Sequence, residues 1–204
     1  VPDKYLLSGT DGGNPRWWGG FYTKNVDSSK FSLTKIMNGS DPKGYNTLMS
    51  DVDEIAKQLK RLSDADVPVL FRPLHEASGG WFWWGADGSE AYKKLWQAIY
   101  DKLTNEYKLD NIIWVWNGQA ANWYPGDEYV DIIGEDIYPG TRDYSAQSSK
   151  YLEATDYSPN GKIVALTENG CLFDLDKAFD ANTAWSYFGT WSGEFCISSS
   201  EKYT

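Results

Sequence analysis

The 204 residues contain two cysteines, one histidine and two methionines, and few cations: 19 Lys and Arg stand against 29 Asp and Glu. Each scarcity excludes something. Cys171 and Cys196 are too few for a disulfide framework, and with His75 as the sole histidine the chain is too poor in soft ligands for a zinc site. A net charge of −10 argues against nucleic acid or an anionic membrane as partner, because both attract basic surfaces. No apolar run approaches the roughly 18 residues of a membrane span, and neither G-x-G-x-x-G nor G-K-[ST] occurs to cradle a nucleotide phosphate. The opening Val1-Pro2-Asp3-Lys4 has no basic region followed by an apolar one, and it lacks an initiating Met, so a processed chain or a fragment is expected.

What is abundant is aromatic: 11 Trp, 14 Tyr and 8 Phe. So much indole in a polar chain suits half-exposed rings that meet flat apolar ligand faces, such as those of sugars. The densest stretch is Val67-Pro68-Val69-Leu70-Phe71-Arg72-Pro73-Leu74-His75-Glu76, followed by Gly79-Gly80-Trp81-Phe82-Trp83-Trp84-Gly85. A short apolar run that ends in charge and then in an aromatic loop reads as a buried strand whose carboxyl end opens into a binding site.

Residues 1–44 are rich in Gly and show little periodicity, which predicts a long loop carrying Trp17 and Trp18. From Asn46, Leu48, Val52, Ile55, Ala56, Leu59 and Leu62 recur at spacings of mostly three and four, predicting a helix to Ala65. A second helix is predicted over Ser89–Tyr107, then strands over Asn111–Gly118, Tyr129–Tyr138, Lys162–Glu168 and Ala184–Trp191, with helices at Ser145–Ala154 and Leu175–Asn182 between them. Alternating apolar strands and helices imply right-handed βαβ units and a parallel sheet. Polar or aromatic residues close each strand: Glu76, Asn117, Tyr138, Glu168 and Trp191. That distribution is expected of a TIM (β/α)8 barrel, whose site is built from strand ends around one rim, rather than of an open doubly wound sheet with one switch point. Nothing divides the chain, so residues 1–204 are read as a single domain.

Two carboxylates on one rim suggest a reaction. By strand alternation Arg72, Leu74 and Glu76 share parity on the first strand, as Val164, Leu166 and Glu168 do on the later one, so both acids can face the same interior. Glycoside hydrolysis needs such a pair, one carboxyl protonated and one ionised. Glu135 and Asp136 are rivals on the intervening strand; Glu128 and Glu194 lie in loop-like settings expected to face water.

Arg72-Pro73-Leu74-His75-Glu76 with Gly80-Trp81-Phe82-Trp83-Trp84-Gly85 resembles the acid/base motif of family 26 glycoside hydrolases, the retaining endo-β-1,4-mannanases of the 4/7 barrel clan. Three further blocks resemble one branch of that family: Trp17-Trp18-Gly19-Gly20-Phe21-Tyr22-Thr23, Ile112-Ile113-Trp114-Val115-Trp116-Asn117 and Phe188-Gly189-Thr190-Trp191-Ser192-Gly193-Glu194-Phe195. The resemblance implies that Glu76 is the acid/base and Glu168 the nucleophile. Tyr138 would hydrogen-bond that nucleophile, His75 would position sugar or nucleophile, and Trp81 and Trp191 would stack on sugar. Arg72, Asn117, Trp123, Trp17 and Trp18 are further binding candidates. It also implies that the visible strands are the fourth to the eighth of the barrel, with strands one to three missing upstream of Val1, so that the catalytic domain is N-terminally incomplete. Ser192 stands where some members carry Arg. Cys171 and Cys196, following the seventh and eighth strands, are expected to lie close enough for a disulfide.

The implied activity is double displacement on mannan, galactomannan or glucomannan by a secreted, monomeric enzyme that needs neither metal nor cofactor. Glu76 would hold its proton in Trp-rich surroundings that raise its pKa. A same-fold β-glucanase, a β-1,3-xylanase and a non-catalytic sugar-binding homologue stay open.

Overall fold

The computed structural model describes residues 9–11, 14–16, 21–23, 32–197 and 199–200. The chain divides into two compact units, Val1–Ile113 and Trp114–Thr204.

In the first unit, β1 (Gly9–Asp11) and β2 (Asn14–Arg16) form a short antiparallel pair, and α1 (Leu33–Met37) follows. All three elements fall in the segment whose lack of periodicity predicts a loop. The helix forms there because Ser32 caps it: its hydroxyl accepts from Lys35 N and donates to Asp87 Oδ2 at 2.8 Å, and the same Asp87 oxygen accepts from Thr34 N at 2.8 Å. A distant carboxylate therefore completes the cap that local sequence leaves unfinished. α2 (Pro42–Ser63) starts four residues before its apolar stripe, since Asp41 accepts from Gly44 N at 2.8 Å and Pro42 sits at the first helical position. It buries Met49, Val52, Ala56 and Leu59. β3 (Val69–Phe71) is short and runs beside the start of β4 (Ile112–Trp116), with Val69 N donating to Asn111 O at 2.8 Å. α3 (Ser89–Tyr100) buries Ala91, Tyr92, Leu95, Trp96 and Ile99, then loosens into a π-helical turn over Asp101–Glu106.

In the second unit β4, β5 (Ile132–Ile137), β6 (Ile163–Asn169) and β7 (Phe188–Thr190) lie side by side in sequence order, all parallel. α4 (Ser148–Thr155) follows β5 and α5 (Leu175–Asp180) follows β6. Leu166 packs with Ala146, Phe173 and Ala178 on the helix side of the sheet, flanked by Ile137 and Trp185. Parallel strands in sequence order are what a consecutive part of a (β/α)8 barrel contains; a doubly wound sheet reverses its order.

Three expectations are corrected. Strand alternation does not carry Glu76, because β3 ends at Phe71 and both Leu74 (φ 55°) and Glu76 (φ 52°) are left-handed. Alternation also fails on β6, where Glu135 pairs with Leu166 but Asp136 pairs with Glu168, leaving Thr167 as an extra residue. The expected disulfide is absent. Cys171 is a buried thiol outside any disulfide, directed at Leu172 O, whereas the chain turns through Gly193–Phe195 after β7 and leaves Cys196 exposed, its sulfur 3.2 Å from Trp191 O.

Candidate active-site residues

In the first unit the chemistry gathers on the loop after β3. Glu76 is half-buried and adopts φ 52°, ψ 34°, a conformation costing a non-glycine residue on the order of 1 kcal/mol. The loop holds it there by folding back through the turn Ala77–Gly79. Gly79 N donates to Glu76 O at 3.1 Å, and Gly80 takes φ 70° to let the chain return. Trp81 Nε1 then donates to Glu76 Oε2 at 3.0 Å. Gly85 is obligatory, since a Cβ there would stand 2.0 Å from Ala77 O.

The four aromatic residues divide by function. Phe82 and Trp84 are buried and stack at 4.4 Å with a 16° tilt, so they are packing pegs. Trp84 Nε1 donates to His75 O at 2.8 Å, and the His75 ring lies 4.8 Å from that of Phe82. The short piece Phe21–Thr23, whose Tyr22 forms an isolated antiparallel bridge with Phe82, straps the loop through Thr23 N to Trp81 O (2.8 Å) and Trp83 N to Phe21 O (2.9 Å). Trp81, 43 % exposed, is the most open of the four, and Trp83 is half-buried. Arg72 is half-buried just beyond β3. Trp17 and Trp18 lie outside the described residues.

In the second unit the strand ends of β4 to β7 carry a buried polar network. Asn117, wholly buried, directs Nδ2 at Gly134 O (2.9 Å), Asp136 Oδ1 (3.1 Å) and Thr167 Oγ1 (3.1 Å). Thr167 Oγ1 donates to Asp136 Oδ1 at 2.6 Å, and Gln119 brackets the Asp136 backbone, accepting from its N–H at 3.2 Å and donating to its carbonyl at 3.4 Å. Beside it Glu168, 5 % exposed, accepts from Tyr138 OH at 2.7 Å, with a carboxylate oxygen within 4.8 Å of one of Asp136. Tyr138 packs its ring 5.6 Å from Phe195, and Gly170 makes room, since a Cβ there would meet Tyr138 Cδ1 at 2.7 Å.

Asn117, Tyr138 and Glu168 are thus brought together as the strand-end pattern predicts. Trp191 is 46 % exposed, its backbone N–H donating to Asn169 O at 2.9 Å, and Trp123 is half-buried in the turn Ala121–Trp123. Of the rival acids, Glu128 and Glu194 are exposed, as expected. Glu135 and Asp136 point to opposite faces of β5. Glu135, 2 % exposed, lies toward Lys150 and Glu153 of α4, and burial pushes its carboxyl up to about 8. Thr167 and Gln119 are the participants that residue patterns miss: neither is titratable, and alternation places Thr167 on the wrong face.

A buried carboxylate with a phenol donor at one strand end, and a half-buried carboxylate whose indole donor is an exposed Trp, are the parts expected of a carbohydrate-processing enzyme. The glycosyl hydrolase family 26 model matches residues 9–202. A mannan endo-1,4-beta-mannosidase of Thermothelomyces thermophilus is 44 % identical over 181 residues, which make up 88 % of this chain and 36 % of that protein. The crystal structure of a β-(1,4)-mannanase of Podospora anserina superposes with a TM-score of 0.85 at 39 % identity, over 96 % of this chain and 43 % of the other. That of a β-mannanase from a symbiotic protist of the termite Reticulitermes speratus, complexed with gluco-manno-oligosaccharide, gives 0.79 at 37 % identity, over 87 % and 55 %. The chain belongs to glycosyl hydrolase family 26. It spans about a third of the length of the Thermothelomyces relative and a quarter of those of Piromyces.

Proposed function

We propose that this chain carries catalytic residues of an endo-acting β-1,4-mannanase that works with retention of configuration on mannan, galactomannan or glucomannan. The observation that supports this most is Glu168: a buried strand-end carboxylate oriented by the Tyr138 hydroxyl at 2.7 Å. In this reading Glu168 attacks the anomeric carbon while Glu76 protonates the leaving oxygen. Glu76 then takes a proton from water, which hydrolyses the glycosyl-enzyme. Retention requires the two carboxyl groups to stand roughly 5–5.5 Å apart in the working enzyme, against roughly 6.5–9.5 Å for inversion. Trp81 offers its exposed face to sugar while its N–H orients Glu76, and Trp191 is a second platform.

The same reading assigns β3 to β7 to the fourth through eighth strands of the barrel and makes the enzyme a secreted monomer, since a polymeric substrate is met outside the cell. Neither metal nor cofactor has a step in it. The test is reducing-sugar release from galactomannan compared with lichenan and β-1,3-xylan, together with the anomeric configuration of the first product by NMR. Preferential cleavage of mannan with a β-configured product is expected. Preference for either other polymer, or an inverted product, overturns the corresponding part.

A further inference from the structure

Strict alternation along β6 would put Glu168 on the face of Leu166, which packs against Ala146, Phe173 and Ala178 on the helix side. Instead Thr167 is a bulge residue: Leu166 pairs with Glu135, Glu168 pairs with Asp136, and Thr167 is intercalated between them. The inserted residue moves Glu168 onto the face of Asp136 and Tyr138.

Two features hold this bulge in place. The first is steric. Gly134 on β5 has no side chain, and a Cβ there would lie 2.6 Å from Thr167 Cγ2 and 2.7 Å from Thr167 Oγ1, so the threonine occupies the space above that glycine. The second is polar. Thr167 Oγ1 gives its proton to Asp136 Oδ1 at 2.6 Å and receives one from Asn117 at 3.1 Å, which fixes the rotamer by both donor and acceptor. Asn117 also reaches the carbonyl of Gly134 itself, at 2.9 Å. The glycine, the threonine and the amide form one unit, all on the second unit of the chain.

We propose that Thr167, seated over Gly134, is a positioning residue that maintains the β6 bulge and thereby aims the Glu168 carboxylate for reaction. Thr167 touches no substrate; it acts through the backbone it holds. This rests on the reading of Glu168 as the nucleophile. Valine has the shape of threonine but can neither donate to Asp136 nor accept from Asn117, and it leaves both buried groups short of a partner. Serine keeps the hydroxyl and gives up only the methyl over Gly134.

The test compares Thr167→Val, Thr167→Ser and Gly134→Ala in the intact enzyme, with folding checked by circular dichroism. The readouts are kcat and KM on manno-oligosaccharide and the rate at which a 2-deoxy-2-fluoro mannosyl fluoride, losing fluoride, esterifies Glu168, followed by mass spectrometry. Thr167→Val is expected to lower kcat and the labelling rate about 100-fold, the scale of a misplacement near 1 Å, with KM within about twofold. Thr167→Ser is expected to recover most of that loss, and Gly134→Ala, which pushes on the threonine from the other strand, to reproduce it. If Thr167→Val does not fold, Gly134→Ala and Thr167→Ser carry the comparison. Wild-type kcat in Thr167→Val or in Gly134→Ala, equal damage from Val and Ser, or a loss confined to KM overturns the proposal. Glu168→Ala serves as the control: if it stays active, the nucleophile assignment falls; if it is dead while Thr167→Val is normal, only the present inference falls.

Discussion

The loop after β3 and the end of β6 each present one carboxylate, by opposite means. Glu76 is aimed by backbone conformation: a left-handed residue, a tight turn and an aromatic strap that leave it half-buried with an indole as donor. Glu168 is aimed by a sheet, through one inserted residue and a phenol, and is almost wholly buried. Loops tolerate adjustment and sheets do not, so the difference suits the roles proposed above, proton exchange with leaving group and water for Glu76 and attack along one line for Glu168.

The largest expected effect is at the rigid end. Glu168→Ala should cut turnover on every substrate by roughly 10⁶-fold, the scale seen when a covalent nucleophile is removed; substantial residual activity in single-turnover assays would dissolve the contrast. Glu76→Ala should cost roughly 10²–10⁴-fold on polysaccharide, as expected of a general acid. It should spare the first step on an aryl mannoside with a good leaving group, so burst kinetics read the split directly. Equal loss on both substrates would show that Glu76 is not a proton donor.

A smaller effect sharpens what the loop contributes. Trp81→Phe keeps an aromatic face for sugar but removes the hydrogen bond to Glu76. A hydrogen bond is worth about 0.5–1.5 kcal/mol net, so an approximately two- to tenfold fall in kcat is expected with a modest change in KM. The opposite pattern in steady-state kinetics would make the ring a platform alone.

The smallest effect on activity, but a plain one on stability, concerns Glu135, one residue from Asp136 and on the other face. Asp136 accepts from Asn117 and Thr167, whereas Glu135 is buried with one oxygen unpartnered and its pKa raised from 4.5 to about 8. Lys150 opposes this shift, while Glu153 and Asp136 add to it. Between about pH 4.5 and 8 the folded chain therefore binds more protons at this site than the unfolded chain does. Stability consequently falls as pH rises through that window, by up to about 1.4 kcal/mol per unit, and levels off above it. Glu135→Gln mimics the protonated acid and should flatten the corresponding fall in Tm, measured by thermal denaturation from pH 5 to 9. A slope unchanged by the substitution would assign the pH dependence elsewhere.

Much of this was legible in the residues because it depends on local chemistry. The stripes of α2 and α3, the apolar runs of β4, β5 and β6, and the placing of Asn117, Tyr138 and Glu168 at strand ends follow from side-chain periodicity. The short motif around His75 and Glu76 led to the family independently of any strand assignment, and the resemblance named Tyr138 as the partner of Glu168. The failures share a cause. α1 was missed because its cap is completed by Asp87, and the disulfide was expected because strand adjacency says nothing about a turn that carries Cys196 to the surface. Both depend on groups far apart in sequence.

What the sequence determined by itself is which acids are available and which elements carry them, since period, cap and motif are properties of neighbouring residues. Which way the acids point was decided only by tertiary structure. Alternation accounts for the direction of neither Glu76 nor Glu168: β3 ends before the first, and a bulge turns the second away from the face of Leu166. A positive φ replaces the pleat at one, and at the other a threonine fits over a glycine of the next strand. A bulge is a relation between two strands, stabilised by a contact across them, and no single stretch of the chain contains it.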